Sequence, residues 1–378
     1  MTKKSSLIQI IIFTAFICVL FVLNLILPDV EFSEQENREL AQRPEFSFSA
    51  LFSGKFMDKF ESYTTDQFAF RDSWTTMKAG CELALGKKEN KGVYLCSDGS
   101  LIERYTAPEK ELLETNISSV HSFAEGSSVP VYFALIPGAS EIRSEVLPKF
   151  APNYSQGAAI AYCYENSGAN NIDLIEKMSA HSDEYTYYRT DHHWTSLGAF
   201  YASETILEGI GEKTYPLSDF TPETVSDAFY GTVYSKSGFS WVKPDSMEIF
   251  TPQDETTQVF NYVSGEAETG TMYDKEYLNK KDKYSMFMGG ITPLAVVKTG
   301  VSDADSILII RDSYTDSLVP FLQQSFSEIH LMDLRYYKNQ LLAGSVHDYV
   351  EAKGIDKVLI CYSMSNFGTD TNISLLAQ

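Results

Sequence analysis

The residues of this chain best suited to acid–base chemistry lie in the run Arg189-Thr190-Asp191-His192-His193-Trp194. This run holds two of the six histidines in the sequence, directly after an aspartate. Histidine has an ordinary pKa close to neutrality, so an Asp–His pair provides a general base that works at neutral pH. In an extended segment, Asp191 and His193 project to one face and His192 to the other. Asp191 could therefore orient His193 while the second nitrogen of that imidazole meets a nucleophile.

Ser313 is the candidate nucleophile, because it lies just beyond the buried-strand pattern of residues 306–310. In open α/β sheets, ligands bind beyond the carboxyl ends of the strands. We predict that a helix begins at Ser313 and runs to about Phe326, so that free amides at its N-terminus could receive a developing oxyanion. The alternative is that Ser313 is an ordinary helix N-cap.

Other polar residues near predicted strand ends could assist this serine. Asn366, after the last predicted strand, and the turn at Pro137-Gly138 are candidate oxyanion donors. Arg311 and Asp312 directly precede Ser313, and they could bind substrate or pair with each other. A polar residue after a strand is by default a loop residue, which is the alternative for Asn366.

A metal site is the competing interpretation of the aspartate and the two histidines, since all three residue types bind zinc. Adjacent histidines rarely converge on one ion in an extended chain, and no further histidine or cysteine lies beside them. We therefore predict no metal and no cofactor.

The run Asp191-His192-His193-Trp194, with Arg189-Thr190 before it and Ser196-Leu197-Gly198-Ala199 after it, resembles the signature of the bacterial DHHW protein family. That family is similar to the SGNH-hydrolase-like domains of periplasmic alginate O-acetyltransferases. In those domains an Asp-x-His-Trp motif precedes a Ser-Tyr at a strand end, as Asp191 and His193 here precede Ser313-Tyr314. Ordinary SGNH enzymes carry the serine first, so the motif order is permuted. Further family-like strings are residues 36–41, 66–72 and 230–235.

The resemblance implies an extracytoplasmic acyl-transfer enzyme that O-acetylates or deacetylates a cell-surface or exported polysaccharide. Ser313, His193 and Asp191 would be catalytic, and Tyr314, Arg311 and Asn366 are candidates for binding the substrate or the oxyanion. A membrane-bound O-acyltransferase would be the expected acyl donor, because acetyl-coenzyme A is absent outside the cell. The alternatives are an esterase and a non-catalytic polysaccharide-binding or assembly subunit of an exopolysaccharide modification complex.

The N-terminal sequence predicts a membrane anchor. Residues 7–27 are almost all apolar, and 21 residues at about 1.5 Å each span a hydrocarbon core of roughly 30 Å. Lys3 and Lys4 precede the run and acidic residues follow it, which puts residues 1–6 in the cytoplasm and the rest outside. A cleaved signal peptide is the alternative, but no small-x-small cleavage site follows the run.

The remaining sequence predicts an α/β fold with a doubly wound, mainly parallel sheet of the SGNH-hydrolase type. Residues 28–90 are predicted as a juxtamembrane segment with helices, and residues 91–378 as the SGNH-like domain. Helices are expected over 109–124, 158–166, 195–208 and 341–353, and strands over 129–136, 306–310, 329–334 and 357–361. Residues 211–300 lack long periodicity and are predicted to be an insertion or lid over the sheet.

The charge and the cysteines narrow the class of protein further. A formal net charge of −21 argues against nucleic acid as a partner, because phosphates would be repelled. Four cysteines lie outside the apolar run and are not spaced as metal ligands. A Cys81–Cys96 disulfide is conceivable, with buried free thiols as the alternative.

Overall fold

The computed structural model describes residues 3–252, 257–263, 265–340 and 344–378. Its α-helices are α1 (Lys3–Ile26), α2 (Phe48–Phe52), α3 (Lys55–Asp66), α4 (Arg71–Ala84), α5 (Lys110–Gly126), α6 (Ala139–Ile142), α7 (Gln156–Ser167), α8 (Ile175–Ala180), α9 (Ser196–Ile210), α10 (Thr232–Ser237), α11 (Val319–Leu322), α12 (Leu334–Gln340), α13 (Val346–Lys353) and α14 (Met364–Phe367). Short 3-10 helices cover Ser144–Val146, Leu217–Asp219, Lys275–Asn279, Tyr284–Met286, Ser313–Ser317 and Thr371–Ala377.

The strands are β1 (Phe32–Ser33), β2 (Arg38–Glu39), β3 (Glu89–Asn90), β4 (Val93–Leu95), β5 (Leu101–Glu103), β6 (Val131–Ile136), β7 (Asn170–Asp173), β8 (Phe220–Phe229), β9 (Asp245–Pro252), β10 (Gln258–Tyr262), β11 (Ala267–Gly270), β12 (Leu294–Lys298), β13 (Ser306–Arg311), β14 (Glu328–Met332) and β15 (Lys357–Ser363). The chain divides into two compact units: Met1–Asn90 with Tyr234–Trp241, and Lys91–Val233 with Val242–Gln378.

The smaller unit contains the N-terminal apolar helix. Helix α1 is long and apolar enough to cross a membrane, and its side chains are exposed over most of its length. Arg38 pairs with both oxygens of Asp66 at 2.8 and 2.6 Å and also with Glu36, which Arg71 contacts as well. This ion-pair network joins the hairpin formed by β1 and β2 to α3 and α4.

The larger unit is built on a mixed, mainly parallel sheet of eight strands in the order β11-β10-β12-β14-β13-β15-β6-β7. The five strands from β14 to β7 run parallel, and β12, β10 and β11 join one side of the sheet antiparallel. Arg311 is in register with Cys361, and Ser363 with Ile136. The carboxyl ends of β13, β15 and β6 therefore meet at one edge of the sheet.

The core lies on both faces of this sheet, because alternate residues of each strand point to opposite sides. Ala134, Ile309 and Leu359 pack on one face with residues of α9 and α11. Phe133, Leu308 and Ile360 pack on the other face with residues of α5, α7 and α13. Continuous apolar strand sequences are typical of parallel strands buried on both faces, and this sheet follows that rule.

The predicted helices over 109–124, 158–166 and 195–208 and the four predicted strands are confirmed, with bounds shifted by a few residues. Three features were missed. Strand β7 has the polar sequence Asn-Asn-Ile-Asp, α12 begins at Leu334 where we expected a strand to end, and Gly344 and Ser345 precede α13 rather than belonging to it. Residues 341–343 of the predicted helix 341–353 lie outside the described residues.

The helix predicted from Ser313 to about Phe326 is wrong. A 3-10 helix covers Ser313–Ser317, and α11 is a single turn that begins beside Pro320. The hydroxyls of Thr315 and Ser317 donate to the backbone carbonyls of Asp312 and Tyr314. Proline lacks an amide, and local hydroxyl–carbonyl bonds compete with helical ones, so a long helix does not form.

The stretch 211–300 is also organised differently from the predicted insertion or lid. Strands β8 and β9 form a long hairpin, but β10, β11 and β12 extend the main sheet itself. The apolar residues Leu294–Val297 form a buried strand that the surrounding turn-rich sequence obscured. All five cysteines are free, so the conceivable Cys81–Cys96 bridge is not formed.

Candidate active site

The loop that carries Asp191 and His193 is bent, not extended as the sequence suggested. The backbone amide of His193 donates to Asp191 Oδ1 at 3.0 Å, which closes a turn of the Asx type and places both side chains on one side. The buried Asp245, at the start of β9, accepts the backbone amides of Arg189 and Thr190 at 2.8 Å each and the Thr190 hydroxyl. One carboxylate thus fixes the start of the loop.

The structure brings Asp191, His193 and Ser313 together. His193 Nδ1 lies 2.6 Å from Asp191 Oδ1, and His193 Nε2 lies 2.8 Å from Ser313 Oγ. Asp191 and His193 are buried, whereas Ser313 is partly exposed. A carboxylate that holds one imidazole nitrogen, with a hydroxyl on the other, is the geometry of an activated serine.

The second oxygen of Asp191 is held by the first residue of α10. Thr232 donates its backbone amide and its hydroxyl to Asp191 Oδ2 at 2.7 and 3.0 Å. A β-carbon on Gly231 would lie 2.2–2.6 Å from Asp191 side-chain atoms, so only glycine allows this approach. Burial raises the pKa of Asp191, but the two adjacent imidazoles and these hydrogen bonds outweigh burial and hold that pKa below its usual range.

Aromatic side chains fix the imidazole and the serine turn. The ring of Tyr284 stacks on His193 with centroids 3.7 Å apart and planes 6° from parallel. Its hydroxyl donates to the backbone carbonyl of Ser313 at 3.1 Å, and it lies 3.1 Å from Ser317 Oγ. Trp194 donates its indole N–H to the carbonyl of Tyr314 and to Ser317 Oγ. Buried contacts therefore hold the loop of residues 191–194 against the turn of residues 313–317.

Asp312, directly before Ser313, links the ends of β13 and β15. One of its carboxylate oxygens accepts the backbone amide and hydroxyl of Ser363 and the side-chain amide of Asn366, all at 2.8 Å. Its other oxygen accepts the amide of Tyr314, so Asp312 rather than Ser313 caps the 3-10 helix. The helix amides that we expected to receive an oxyanion are therefore partly used by Asp312.

The three candidates for substrate or oxyanion binding occupy different positions. Asn366 lines the cavity described below and is oriented by Asp312. Tyr314 is buried, lines the same cavity, and donates its hydroxyl to the carbonyl of His192. Arg311 is fully buried and contacts Asp316 at 2.7 Å, so it pairs neither with Asp312 nor with anything in the cavity. Its expected role in substrate binding does not fit this position.

His192 was expected to point away from the site, but it lies beside His193, with ring centroids 3.9 Å apart. Its Nδ1 is 2.7 Å from Thr232 Oγ1, and the ring lines the cavity. Burial and the neighbouring His193 lower the pKa of His192, which favours its neutral form. The bend of the loop, which the sequence did not reveal, explains this placement.

A cavity of about 640 Å³ opens beside the triad, at the carboxyl edge of the sheet. Asp191, His192 and Tyr314 form its wall on the triad side. Polar side chains on the other sides include Ser140, Gln156, Ser365, Asn366 and Thr369. The lining also includes the charged residues Glu103, Arg104 and Glu109, whereas Ser313 and His193 lie behind the wall formed by Asp191, His192 and Tyr314.

The ligand atoms of Asp191, His192 and His193 lie within 4.8 Å of one another, which is compact enough for a metal ion. Both nitrogens of His193 and both oxygens of Asp191 already have protein partners, however. An ion would have to displace Ser313 or Asp191 from His193. The donor set therefore fits a hydrogen-bonded triad better than a metal centre.

Several residues of the site were not singled out from the sequence: Tyr284, Asp245, Asp312 as a link between strands, and Gly231 with Thr232. Gly231 and Thr232 lie in the family-like string 230–235, which was a usable signal. Tyr284 and Asp245 lie in the turn-rich stretch 211–300 and carried no local signal.

The fold and the site define a protein of the mixed α/β class, with a large, mainly parallel sheet and a polar site at the carboxyl ends of its strands. The profile of the DHHW protein family matches residues 114–332, which is more than half of the chain. The chain belongs to the DHHW protein family.

Known proteins agree with this assignment. A solved structure of a DHHW family protein from Eubacterium siraeum is 25% identical, with a TM-score of 0.66 over 76% of this chain and 95% of that one. Bacillus cereus PatB1 with a sulfonyl adduct is 22% identical, with a TM-score of 0.63 over 74% of this chain and 97% of that one. The latter likeness concerns the fold alone.

Among curated sequences, the chain is similar to the probable alginate O-acetylase AlgJ of Pseudomonas putida, with 22% identity over 175 residues. The match covers 43% of this chain and 46% of that protein, so it spans less than half the length of the relative.

Proposed function

We propose that this protein is an acyl-transfer enzyme that faces outside the cytoplasm and adds an acetyl group to, or removes it from, a hydroxyl of a cell-surface or exported polysaccharide. Ser313 is the nucleophile, His193 the base and Asp191 the carboxylate that orients it. The observation that carries the proposal is the pair of hydrogen bonds on His193, at 2.6 Å to Asp191 and 2.8 Å to Ser313. The similarity to a probable alginate O-acetylase supports the choice of acyl group and polymer.

In this mechanism, Ser313 Oγ attacks the acyl carbonyl while its proton passes to His193 Nε2. Asp191, whose pKa lies below its usual range, stays ionised and stabilises the imidazolium. The imidazolium then protonates the departing group and leaves an acyl-serine. A sugar hydroxyl, or water in an esterase, gives its proton to His193 and takes the acyl group, which restores the free serine.

The developing oxyanion needs nearby donors. An amide –NH₂ has two donor hydrogens, and Asn366 directs one of them to Asp312. We propose that Asn366 offers its other hydrogen to the oxyanion. The polar cavity suits a hydroxyl-rich acceptor, because Ser140, Gln156 and Thr369 can hydrogen-bond to a sugar. A membrane-bound O-acyltransferase is the proposed acyl donor, and the motif order corresponds to a permuted SGNH-hydrolase arrangement.

A nucleophilic serine can be tested directly. The full-length protein in detergent is incubated with p-nitrophenyl acetate, with and without oligosaccharide acceptors, and with an alkylsulfonyl fluoride. We expect ester turnover, loss of turnover in Ser313→Ala, and a sulfonyl adduct located on Ser313 by mass spectrometry. Transfer to the acceptor identifies a transferase, and release of acetate alone identifies an esterase.

The control is Ser118→Ala, which removes an exposed hydroxyl from α5 that lines neither the cavity nor the triad. A Ser313→Ala variant that retains turnover, or an adduct on another residue, would overturn the assignment. Binding of oligosaccharide with no turnover and no adduct would favour the second candidate, a non-catalytic polysaccharide-binding or assembly subunit.

A further inference from the structure

The smaller unit carries a row of aromatic side chains, of which Phe46, Phe48, Phe52 and Phe60 are exposed and Phe56 and Tyr63 are half-buried. The aromatic face, as we name it, consists of Phe46, Phe48, Phe52, Phe56, Phe60 and Tyr63. Neighbouring rings are in contact, with centroids 5.3–6.0 Å apart from Phe48 through Phe46, Phe56 and Phe60 to Tyr63. Phe52 is 87% exposed, and no residue of α2 or α3 is buried. A contiguous exposed apolar surface of this kind marks an interaction site.

Helix α3 has two chemically distinct sides. At 100° per residue, Phe56, Phe60 and Tyr63 share one side, and Asp58 and Glu61 lie on the opposite side. Lys55 and Lys59 lie together along one edge of the aromatic side. An aromatic side bordered by lysines and backed by acidic residues is the pattern of a helix that lies in the plane of a membrane interface.

The end of α3 lies close to the point where α1 ends. The hydroxyl of Tyr63 donates to the carboxylate of Asp29 at 3.0 Å, and the side-chain amide of Gln67 exchanges two hydrogen bonds of 2.9 Å with the backbone of Val30. Asp29 and Val30 follow Ile26, the last residue of α1, by only a few positions. If α1 crosses the bilayer, these contacts hold the C-terminal end of α3 near the level of the lipid headgroups.

We propose that the aromatic face is inserted at the headgroup–acyl boundary of the bilayer that α1 crosses. The bilayer is the occupant that the structure favours over a partner protein, because the face continues from a membrane-spanning helix and is flanked by lysines that can meet lipid phosphates. Phe68 and Phe70 are also exposed, and the backbone amide of Ala69 between them donates to Asn24 of α1 at 2.9 Å. The inference rests on the membrane anchor predicted for residues 7–27 and on the outward orientation in the proposed function, not on the acyl-transfer chemistry.

The test measures the depth of a fluorescent probe in the full-length protein reconstituted into vesicles of phosphatidylethanolamine and phosphatidylglycerol. Cys18 and Cys81 are exposed, so both are replaced by serine, whereas Cys96, Cys163 and Cys361 are buried. Burial raises the pKa of Cys96 and Cys163 to about 12, so these thiols react slowly. A nitrobenzoxadiazole probe is then attached at Phe52→Cys or, as the matched control on the acidic side of α3, at Glu61→Cys.

We expect spin-labelled lipid to reduce emission from the Phe52 probe by at least about twofold and to leave the Glu61 probe unchanged. A third protein retains native Cys18 as the labelled site, in the middle of α1, and this probe must also be quenched. Quenching at Cys18 with none at Phe52 would overturn the proposal and leave the face to a partner protein. Equal quenching at Phe52 and Glu61 would also overturn the proposal, because it requires that only the aromatic side enters the bilayer. No quenching at Cys18 would show that α1 does not cross the bilayer. This result is distinguishable from failure of the proposed acyl transfer, which is measured by ester turnover.

Discussion

At the scale of single residues, the site depends on side chains with all hydrogen-bonding positions in use. Asp191 accepts bonds on both oxygens, and His193 has a partner on both nitrogens. The ring of His192, next in sequence, hydrogen-bonds to Thr232 at the edge of this network and lies 3.7 Å from Asp191 Oδ1. Replacing each of these residues should therefore have unequal effects, and the inequality separates serine chemistry from metal chemistry.

We predict that Asp191→Asn and His193→Ala each reduce kcat by roughly 10⁴-fold. An amide at position 191 places a donor against the N–H groups of Thr232 or His193, and it favours the wrong imidazole tautomer. His192→Ala should cost less than about tenfold, which corresponds to roughly 1.4 kcal/mol. Steady-state kinetics with and without chelator check this. Equal losses at both histidines together with inhibition by chelator would indicate a metal site.

Gly231 provides a steric test of the Asp191 position. A β-carbon at residue 231 would lie 2.2 Å from the β-carbon of Asp191, so Gly231→Ala must displace the carboxylate or the turn. We expect kcat to fall by about 10²-fold, because a displacement of roughly 1 Å has that effect. Gly80→Ala, where the nearest atom is 4.0 Å from the added carbon, is the control and should be neutral. Unchanged kinetics in Gly231→Ala would show that the Asp191 contact is dispensable.

Sequence reasoning found Asp191, His193 and Ser313 because their types and motif are distinctive. It did not find Asp245 or Tyr284. Asp245 lies 55 residues from the Thr190 amide it accepts, and Tyr284 lies 29 residues from the Ser313 carbonyl it meets. An aspartate or tyrosine in a turn-rich stretch is common, and only the folded chain shows which one carries such a contact.

At the scale of elements, the short 3-10 helix Tyr284–Met286 positions the Tyr284 side chain against both His193 and the turn at Ser313. Burial raises the pKa of Tyr284 well above its usual value, so the ring stacked on His193 stays neutral. The ring limits rotation of the imidazole, and the hydroxyl holds the Ser313 turn.

We predict that Tyr284→Phe, which keeps the stack and loses the hydroxyl bonds, lowers kcat by roughly tenfold. Tyr284→Leu removes the stack as well and should lower kcat by about 10²-fold, with little change in KM. The readout is the split between kcat and KM, with folding monitored by circular dichroism. Equal effects of the two substitutions, or an effect confined to KM, would contradict a positioning role.

The ion-pair network of α3 and α4 gives a prediction for pH. The Arg38 guanidinium lowers the pKa of Asp66 from its usual value to about 2. A lowered pKa in the folded state means that the contribution to stability is complete above the unfolded pKa of about 4. It is lost as the pH falls from about 4 through 2.

Pepsin digestion across this pH range should therefore cleave the segment 36–72 increasingly as the pH approaches 2. Asp66→Asn should be cleaved readily already at pH 4, whereas Asp58→Asn, at an exposed site on α3, should behave like the unaltered protein. The same cleavage profile for Asp66→Asn and the unaltered protein would show that this ion pair does not stabilise the unit.

Strands buried on both faces and amphipathic helices were predictable because their patterns are local. The 3-10 helix at Ser313 and the bend at Asp191 were not, since both depend on side-chain bonds from Asp312 and Asp191 to neighbouring amides. Strand β12 was hidden by the turn-rich sequence on either side, although its four residues Leu294–Val297 are all apolar.

At the scale of the whole molecule, we predict that the mature protein retains residues 1–27 and that the residues after α1 lie outside the cytoplasm. The protein should resist carbonate extraction from membranes. A membrane-impermeant maleimide should label the exposed Cys81 in intact cells, and a Ser5→Cys, Cys81→Ser variant only after lysis. A mature N-terminus near Val30 would contradict the retained anchor, and labelling of the Ser5→Cys variant in intact cells would contradict the orientation.

The strand order has a consequence for biosynthesis. Strand β15 lies between β6 and β13, yet it is made after every other strand of the sheet. At about 5–20 residues per second, the 120 residues between His193 and Ser313 take roughly 6–24 s to synthesise. The nascent chain therefore contains its base well before its nucleophile, and the strand that joins β13 to β6 is made last. We expect a chain truncated before residue 357 to contain both motifs and yet to be less reactive than the whole protein, because its sheet lacks the strand that lies between them.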